Sequence, residues 1–369
     1  CGRFNPTVST DDPADVDGRY TRARRIVFAI LVGILIVVPW IRIDGRAAIH
    51  LDIEHRLFFF FGWSFNAQDA WLLFFLLTGA GFALLVSTTI VGRIWCGFTC
   101  PQTVFLEGAY RRVERWIEGD RSQRIRRDRA PMIWDKLWRK VLKHALFIAL
   151  SILISHACLS YFVSIPSLLR MVRGSPFDHL EAFAWMAAFS VILYGNFAFF
   201  REQLCLAICP YGRLQSVLTD RDTVVVGYDV ERGEPRGKAT DPDAGDCVAC
   251  GRCVAVCPTG IDIRAGLQLD CIGCAACIDA CDEIMDKLER PRGLVRYDSQ
   301  RVFDGQGRHF FRPRLLLYAI LGVIGLAIAG FSFGSRSPFE ANRLRLGGAP
   351  FVQTERGIRD GYELHLINK

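Results

Sequence analysis

The segments C-V-A-C-G-R-C-V-A-V-C-P (Cys247–Pro258) and C-I-G-C-A-A-C-I-D-A-C-D (Cys271–Asp282) decide how the rest of this chain is read. Between them they hold eight of its 14 cysteines. Each half spells C-x2-C-x2-C-x3-C, which wraps three thiolates around one cubane and takes the fourth from the other half. That logic predicts two 4Fe–4S clusters. Cys247, Cys250, Cys253 and Cys281 hold one, and Cys257, Cys271, Cys274 and Cys277 hold the other.

Zinc would use four of these cysteines and leave the interlocking quartet without a role. Disulfides need an oxidising compartment, and the charge pattern places this segment on the cytoplasmic side. Pro258 closes the first half. Asp282 stands where a second proline would be usual, a change that bears on solvent access and not on ligation.

A mean hydropathy of +0.22 with 12% aromatic residues over 369 positions is too apolar for an ordinary soluble chain. Apolar runs at Ile26–Ile43, Ala70–Val91, Val141–Val163, Glu181–Phe200 and Leu315–Phe333 predict five spans. The second is about 33 Å long as a helix. The aromatic patch Phe58–Phe65 reads as an interfacial belt or a buried lid.

Arginines precede the first span and crowd the segment 93–140, where Trp116, Trp134 and Trp138 sit among them. The alternate loops are poor in them. By the positive-inside rule the amino terminus and the cysteine-rich segment are cytoplasmic and the carboxyl end is outside. The basic segment reads as amphipathic helices on an anionic membrane surface, not as a nucleic-acid site, because spans flank it. The chain opens on Cys1 and closes after Lys369, and so reads as a piece of a longer protein. A lipidated Cys1 would need an outer amino terminus, against the charge pattern. Tyr362–Asn368 alternates like a strand, the first of a truncated β domain or a segment that docks on a partner.

A second cysteine pattern repeats. Cys96-Gly-Phe-Thr-Cys100-Pro101 and Cys205-Leu-Ala-Ile-Cys209-Pro210 each follow a span. On a continuous helix positions i and i+4 share a face, so each motif would present two sulfurs. Four together suit Cu(I), a further iron–sulfur centre, or dithiol–disulfide cycling. Gap-filling by buried cysteines is the plainer reading of one such motif, less so of two. Cys158 reads as packing. Intramembrane His144 and His156 lack a suitably placed partner for haem, and His50, His55 and His179 read as loop histidines able to bind metal. Arg201 and Arg213 flank the second motif and would lower its thiol pKa values or simply be solvated.

With these motifs placed, the chain resembles the cytochrome c oxidase accessory protein family known as CcoG, FixG or RdxA. The resemblance rests on Ile94–Gly108 (I-W-C-G-F-T-C-P-Q-T-V-F-L-E-G), Cys209–Gln215 (C-P-Y-G-R-L-Q), Cys257–Arg264 (C-P-T-G-I-D-I-R) and Cys271–Asp282. Asp282 is no departure from that family. The C-x3-C-P motif alone is less specific, since the NosR and NapH membrane ferredoxins share it.

The resemblance implies an inner-membrane assembly factor for a cbb-type oxidase that reduces Cu(II) to Cu(I), with Cys96, Cys100, Cys205 and Cys209 implicated. It implies an immunoglobulin-like periplasmic domain of which 335–369 is the start. The expected architecture is an α-helical membrane protein of five spans with a small α+β ferredoxin module. It divides into a tail (1–25), a four-span domain (26–214), the ferredoxin module (215–314), a fifth span (315–334) and the β segment. Expected partners are membrane lipid, a cytoplasmic electron donor, oxidase subunits or copper chaperones and transporters, and a second copy of the chain. Two other functions fit the same motifs: a NosR- or NapH-like conduit from quinol, and a scaffold whose clusters are structural.

Overall fold

Apolar runs of this length leave the backbone no partner but itself inside lipid, so they fold as helices. The computed structural model describes residues 13–53, 55–66, 69–307, 309 and 312–335, and four strands between 339 and 368. Among these residues five helices are long and apolar enough to cross a membrane: Arg19–Trp40, Trp71–Val91, Trp134–Leu159, Pro176–Phe200 and Pro313–Gly334.

Two span starts move most. The first helix starts at Arg19 rather than Ile26 and gives way to a short 3-10 turn, Val38–Trp40, that contains Pro39. The third starts at Trp134, so Lys136, Arg139, Lys140 and Lys143 ride on a polar extension of the span.

The third and fourth spans pack together, with Ser190 Oγ donating to Ser155 Oγ at 2.9 Å. At their foot, Tyr110 stacks on Phe197 (4.5 Å) and meets Phe147 edge-on (5.0 Å). The second and fifth spans pair through Phe82 and Tyr318.

The aromatic patch folds as strands. Ile49–Asp52, Leu57–Phe60 and Trp63–Asn66 form a three-stranded antiparallel sheet whose Trp63 and Phe65 rest on Phe333, at the end of the fifth span. Phe61 and Gly62 turn it with φ of 49° and 91°, the left-handed pair a two-residue hairpin requires. Asp44-Gly45 does the same between Arg42–Ile43 and Arg46–Ala47. Tyr362–Asn368 is a strand but not the first of the β segment, since three described strands stand between it and the fifth span. It pairs along its length with Phe339–Arg345, and Val352–Thr354 pairs with Gly357–Arg359.

The ferredoxin module closes on strands Val224–Tyr228 and Val295–Ser299 and on helix Ala276–Lys287, around Val226, Ile278, Met285 and Leu294. That helix also holds the first span. Asp279 accepts from the backbone amides of Tyr20 (3.2 Å) and Thr21 (2.7 Å), satisfying donors that a helix start leaves open. Gly18 precedes them because a Cβ there would lie 2.3 Å from the Asp279 Cγ.

The basic segment is only partly a surface. It folds as short helices, including Arg111–Glu118 and Arg121–Arg129, and Arg111 and Arg124 are buried. Arg111 bridges Glu107 and Glu202, while Glu114 takes Arg201 (2.6 Å), Lys143 (3.4 Å) and Arg124 (3.7 Å). Buried charges persist only when paired, and removing one partner costs about 3–5 kcal/mol. Arg111→Leu is therefore expected to abolish accumulation of folded protein. Arg111→Lys should fold with a lowered thermal midpoint in detergent, and a wild-type melting curve for Arg111→Leu would refute the assignment.

Candidate functional site

Each C-x2-C loop turns its amides inward by the same device. Ala249 (φ 53°) and Gly251 (φ 66°) flank Cys250, and Gly273 (φ 63°) and Ala275 (φ 60°) flank Cys274. Left-handed residues beside right-handed ones make backbone nests that favour anionic centres such as iron–sulfur clusters. Cys247, Cys250, Cys253 and Cys281 line one cavity, which Arg264 also borders. Cys257, Cys271, Cys274 and Cys277 line a second, and Cys253 borders both. Among the described residues no three His, Cys, Asp or Glu side chains converge tightly enough for a single ion. Four sulfurs ringing a cavity fit a cubane and do not fit tetrahedral zinc.

Burial pushes the Cys271 and Cys281 thiols up to about 12 and Cys253 up to about 11, with neighbouring sulfur charges adding to the rise. Such sulfurs keep their protons until a metal centre displaces them. Asp282, in place of proline, is buried and accepts from the Gly293 amide at 3.0 Å, so it ties the end of the motif to the strand that follows.

The two C-x3-C-P motifs come together, but not as two helical i, i+4 pairs. Cys96 lies on the short helix Ile94–Phe98, and Cys100 is extended (φ −60°, ψ 127°) ahead of Pro101. Cys209 is extended likewise ahead of Pro210, after a π-helical turn Leu204–Ile208 that carries Cys205. Proline forces the preceding residue out of the helical region, which swings the second sulfur of each pair off the helix.

The motifs interlock. Arg93 donates to the Gly212 carbonyl, and the fully buried Gln215 places Nε2 3.5 Å from Cys96 Sγ. Gly212 has no side chain because a Cβ would lie 2.8 Å from the Cys205 carbonyl oxygen. Burial, then the charges of Cys100, Cys96 and Cys209, push the Cys205 thiol up to about 12. Arg201 and Arg213 therefore do not set a low pKa there. Arg201 pairs with Glu114 and Arg213 reaches the Ala207 carbonyl.

The sulfur pairs also meet the ferredoxin module. Cys96 and Cys277, both partly buried, pack against the apolar cluster that contains Cys274, Ile272 and Ala280. A Cβ on Gly97 would lie 2.7 Å from the Gly273 carbonyl oxygen and 2.9 Å from Cys274 Cα. Tyr297 holds that carbonyl at 2.5 Å.

Other candidates stay apart. Cys158 packs beside Phe147 and Ile154, as its position in a span suggests. His144 meets Tyr194 Oη at 3.0 Å, and His156 bonds the Ile152 carbonyl. His50 stacks on Phe59 and His55 pairs with Asp52. Gly97 and Gln215 carry the junction yet lack chemistry of their own in sequence. Only their places inside the two cysteine motifs hinted at them.

Comparison with known proteins agrees with this geometry. Residues 200–300 match a 4Fe-4S dicluster domain, and residues 72–121 match a 4Fe-4S binding domain. Nitrogen fixation protein FixG of Rhizobium meliloti is 37% identical over 402 residues, covering 96% of this chain and 76% of that protein. Protein RdxB of Cereibacter sphaeroides is 38% identical over 97% of this chain and 79% of its own length. Protein RdxA of the same organism is 38% identical over 96% and 79%.

The chain belongs to the FixG/RdxA family. It is a membrane-associated iron–sulfur electron-transfer protein with two 4Fe–4S clusters. No solved structure matches it. In this FixG/RdxA-family chain the match at 72–121 contains only two cysteines, Cys96 and Cys100.

Two outcomes check the site. Interlocked quartets require Cys281→Ser and Cys250→Ser to lose one cluster signal in electron paramagnetic resonance, and Cys257→Ser and Cys274→Ser to lose the other. Loss of the same signal by Cys281→Ser and Cys274→Ser would break the assignment. Gly97→Ala should lose or broaden the signal tied to Cys274 while sparing that tied to Cys250, because only immovable backbone faces the new methyl.

Proposed function

We propose that this protein reduces Cu(II) to Cu(I) at the two C-x3-C-P motifs and so assists assembly of a cbb-type cytochrome c oxidase. The observation that carries the reading is the packing of Cys96 and Gly97 directly against the Cys274 loop. Cys247, Cys250, Cys253 and Cys281 would hold one cluster, and Cys257, Cys271, Cys274 and Cys277 the other. When bound, the clusters supply one electron at a time, which is what Cu(II) needs to become Cu(I).

Copper as substrate is taken by two sulfurs at a time from Cys96, Cys100, Cys205 and Cys209, since among the described residues no three converge on one ion, and each thiol releases its proton as it binds. Thiolate sulfur favours the soft monovalent ion, so the binding set itself pulls the reaction toward Cu(I). The Gln215 amide beside Cys96 Sγ orients that sulfur. The charge pattern supports an inner-membrane protein with its amino terminus and ferredoxin module in the cytoplasm and its carboxyl end in the periplasm.

One observation favours a second reading, in which the same four sulfurs hold a third iron–sulfur centre and the chain is a conduit. It is the match of residues 72–121, with Cys96 and Cys100, to a 4Fe-4S binding domain. Iron analysis separates the two readings, since two cubanes give about eight irons per chain and three give about twelve. For copper reduction, the Cys96→Ser/Cys205→Ser double variant should keep both cluster signals and lose reduction of Cu(II), followed with a Cu(I)-specific chelator. Undiminished Cu(I) formation by that variant would reject the proposal.

A further inference from the structure

Where the first span meets the ferredoxin module, an open cavity is bordered by Arg24, Arg25, Arg112 and Arg115, with Asp15 and Glu107 as its carboxylates. Four guanidinium groups against two carboxylates leave an excess of two positive charges. The two acids are already engaged. Asp15 holds Arg115 at 2.7 Å, and Glu107 pairs with Arg111 and reaches Arg115 at 3.8 Å.

Arg24 is the innermost cation, only 6% exposed. Its Nε donates to the Gly97 carbonyl at 2.9 Å and its guanidinium lies 5.3 Å from the Phe28 ring centroid. Its second terminal nitrogen, Nη2, is buried without a hydrogen-bond partner. A buried charged donor left unpaired is among the costlier defects a fold can carry. Arg24 borders this cavity and neither of the two cysteine-lined ones. Arg112 is exposed and has no ion-pair partner among the described residues, and Arg25 reaches Asp17 only at 3.4 Å.

We propose that this cavity binds the phosphate of an anionic headgroup, with Arg24, Arg25 and Arg112 as its donors. The position favours a phospholipid. Arg24 and Arg25 stand at the polar end of the first span, directly before the apolar run from Ile26. Basic pockets between spans at this depth recognise acidic headgroups. The cavity's far wall is Val256, Pro258 and Ala276, the neighbours of Cys257 and Cys277. A bound phosphate would therefore place negative charge beside the second cysteine quartet and lower the potential of a centre held there.

The test uses the cluster-loaded full chain in two arms. In the first, nanodiscs of phosphatidylcholine with a minor fraction of phosphatidylglycerol are dissolved, and native mass spectrometry counts the lipid retained. In the second, discs of phosphatidylcholine alone are titrated with radiolabelled inorganic phosphate. Wild type is expected to retain phosphatidylglycerol over phosphatidylcholine, and Arg112→Gln to retain it about tenfold less, the loss of one charge-assisted pair. Arg24→Gln should lose retention altogether. Arg24→Lys, which keeps the charge should Gln prevent folding, should retain an intermediate amount. Phosphate binding in the second arm alone, lost in Arg112→Gln, assigns the same site to a soluble phosphate. Retention in neither arm, or retention indifferent to Arg24 and Arg112, overturns the site.

Discussion

The backbone contact between Gly97 and the Gly273–Cys274 turn is the constraint on which the rest depends. A short helix and a loop approach so closely there that one hydrogen on Gly97 fits and a methyl does not. The helix belongs to the foot of the second span and the loop to the ferredoxin module. Their contact sets the height of the module against the spans and brings Cys96 beside Cys274. Arg24 seals it from the first span by donating to the Gly97 carbonyl, and Tyr297 secures the Gly273 carbonyl from the far side. Asp279 then fastens the start of the first span to the helix that follows Cys274. Three separate parts of the chain are locked by groups that are each nearly inextensible.

Around that contact lies an unusual density of buried charge. Glu107, Arg111, Glu114, Arg124, Lys143, Arg201 and Glu202 come from the basic segment and from the ends of two spans. Replacing such a network by apolar residues often costs nothing in stability, so stability alone does not explain it. Direction does. A guanidinium has five donors in a fixed fork, and Arg111 reaches two carboxylates from different elements at once. The network thereby fixes how the foot helices sit beneath the fourth span, where Cys205 emerges. It also accounts for Arg111 and Arg124, which a membrane surface would otherwise claim.

The repeated C-x3-C-P motif uses proline as a geometric tool. Held in a helix, its two sulfurs would share a face and look the same way. Proline removes the helical conformation from the second cysteine, leaving one sulfur on a turn and one on an extended link. Two such units, crossed through Arg93 and Gln215, bring four cysteines into one region from three backbone conformations, helical, π-helical and extended. The ferredoxin quartets achieve convergence differently, with left-handed residues on both sides of the central cysteine.

Spacing and hydropathy by themselves determined the spans and the strand at Tyr362–Asn368, because these depend on periodicity within a few residues, and motif spacing proposes the cysteine sets. The small sheets were partly legible. Asp44-Gly45 is a hairpin signal that the surrounding apolar and aromatic residues obscured, and the partner of Tyr362–Asn368 lies seventeen or more residues back, beyond any local pattern. Tertiary structure alone decided which arginines are buried, that Gln215 serves Cys96, and that Gly97 is the point of closest approach. A glycine's role depends on what presses against it, and an arginine's on which carboxylate the fold delivers. Neither is written in the residues beside it.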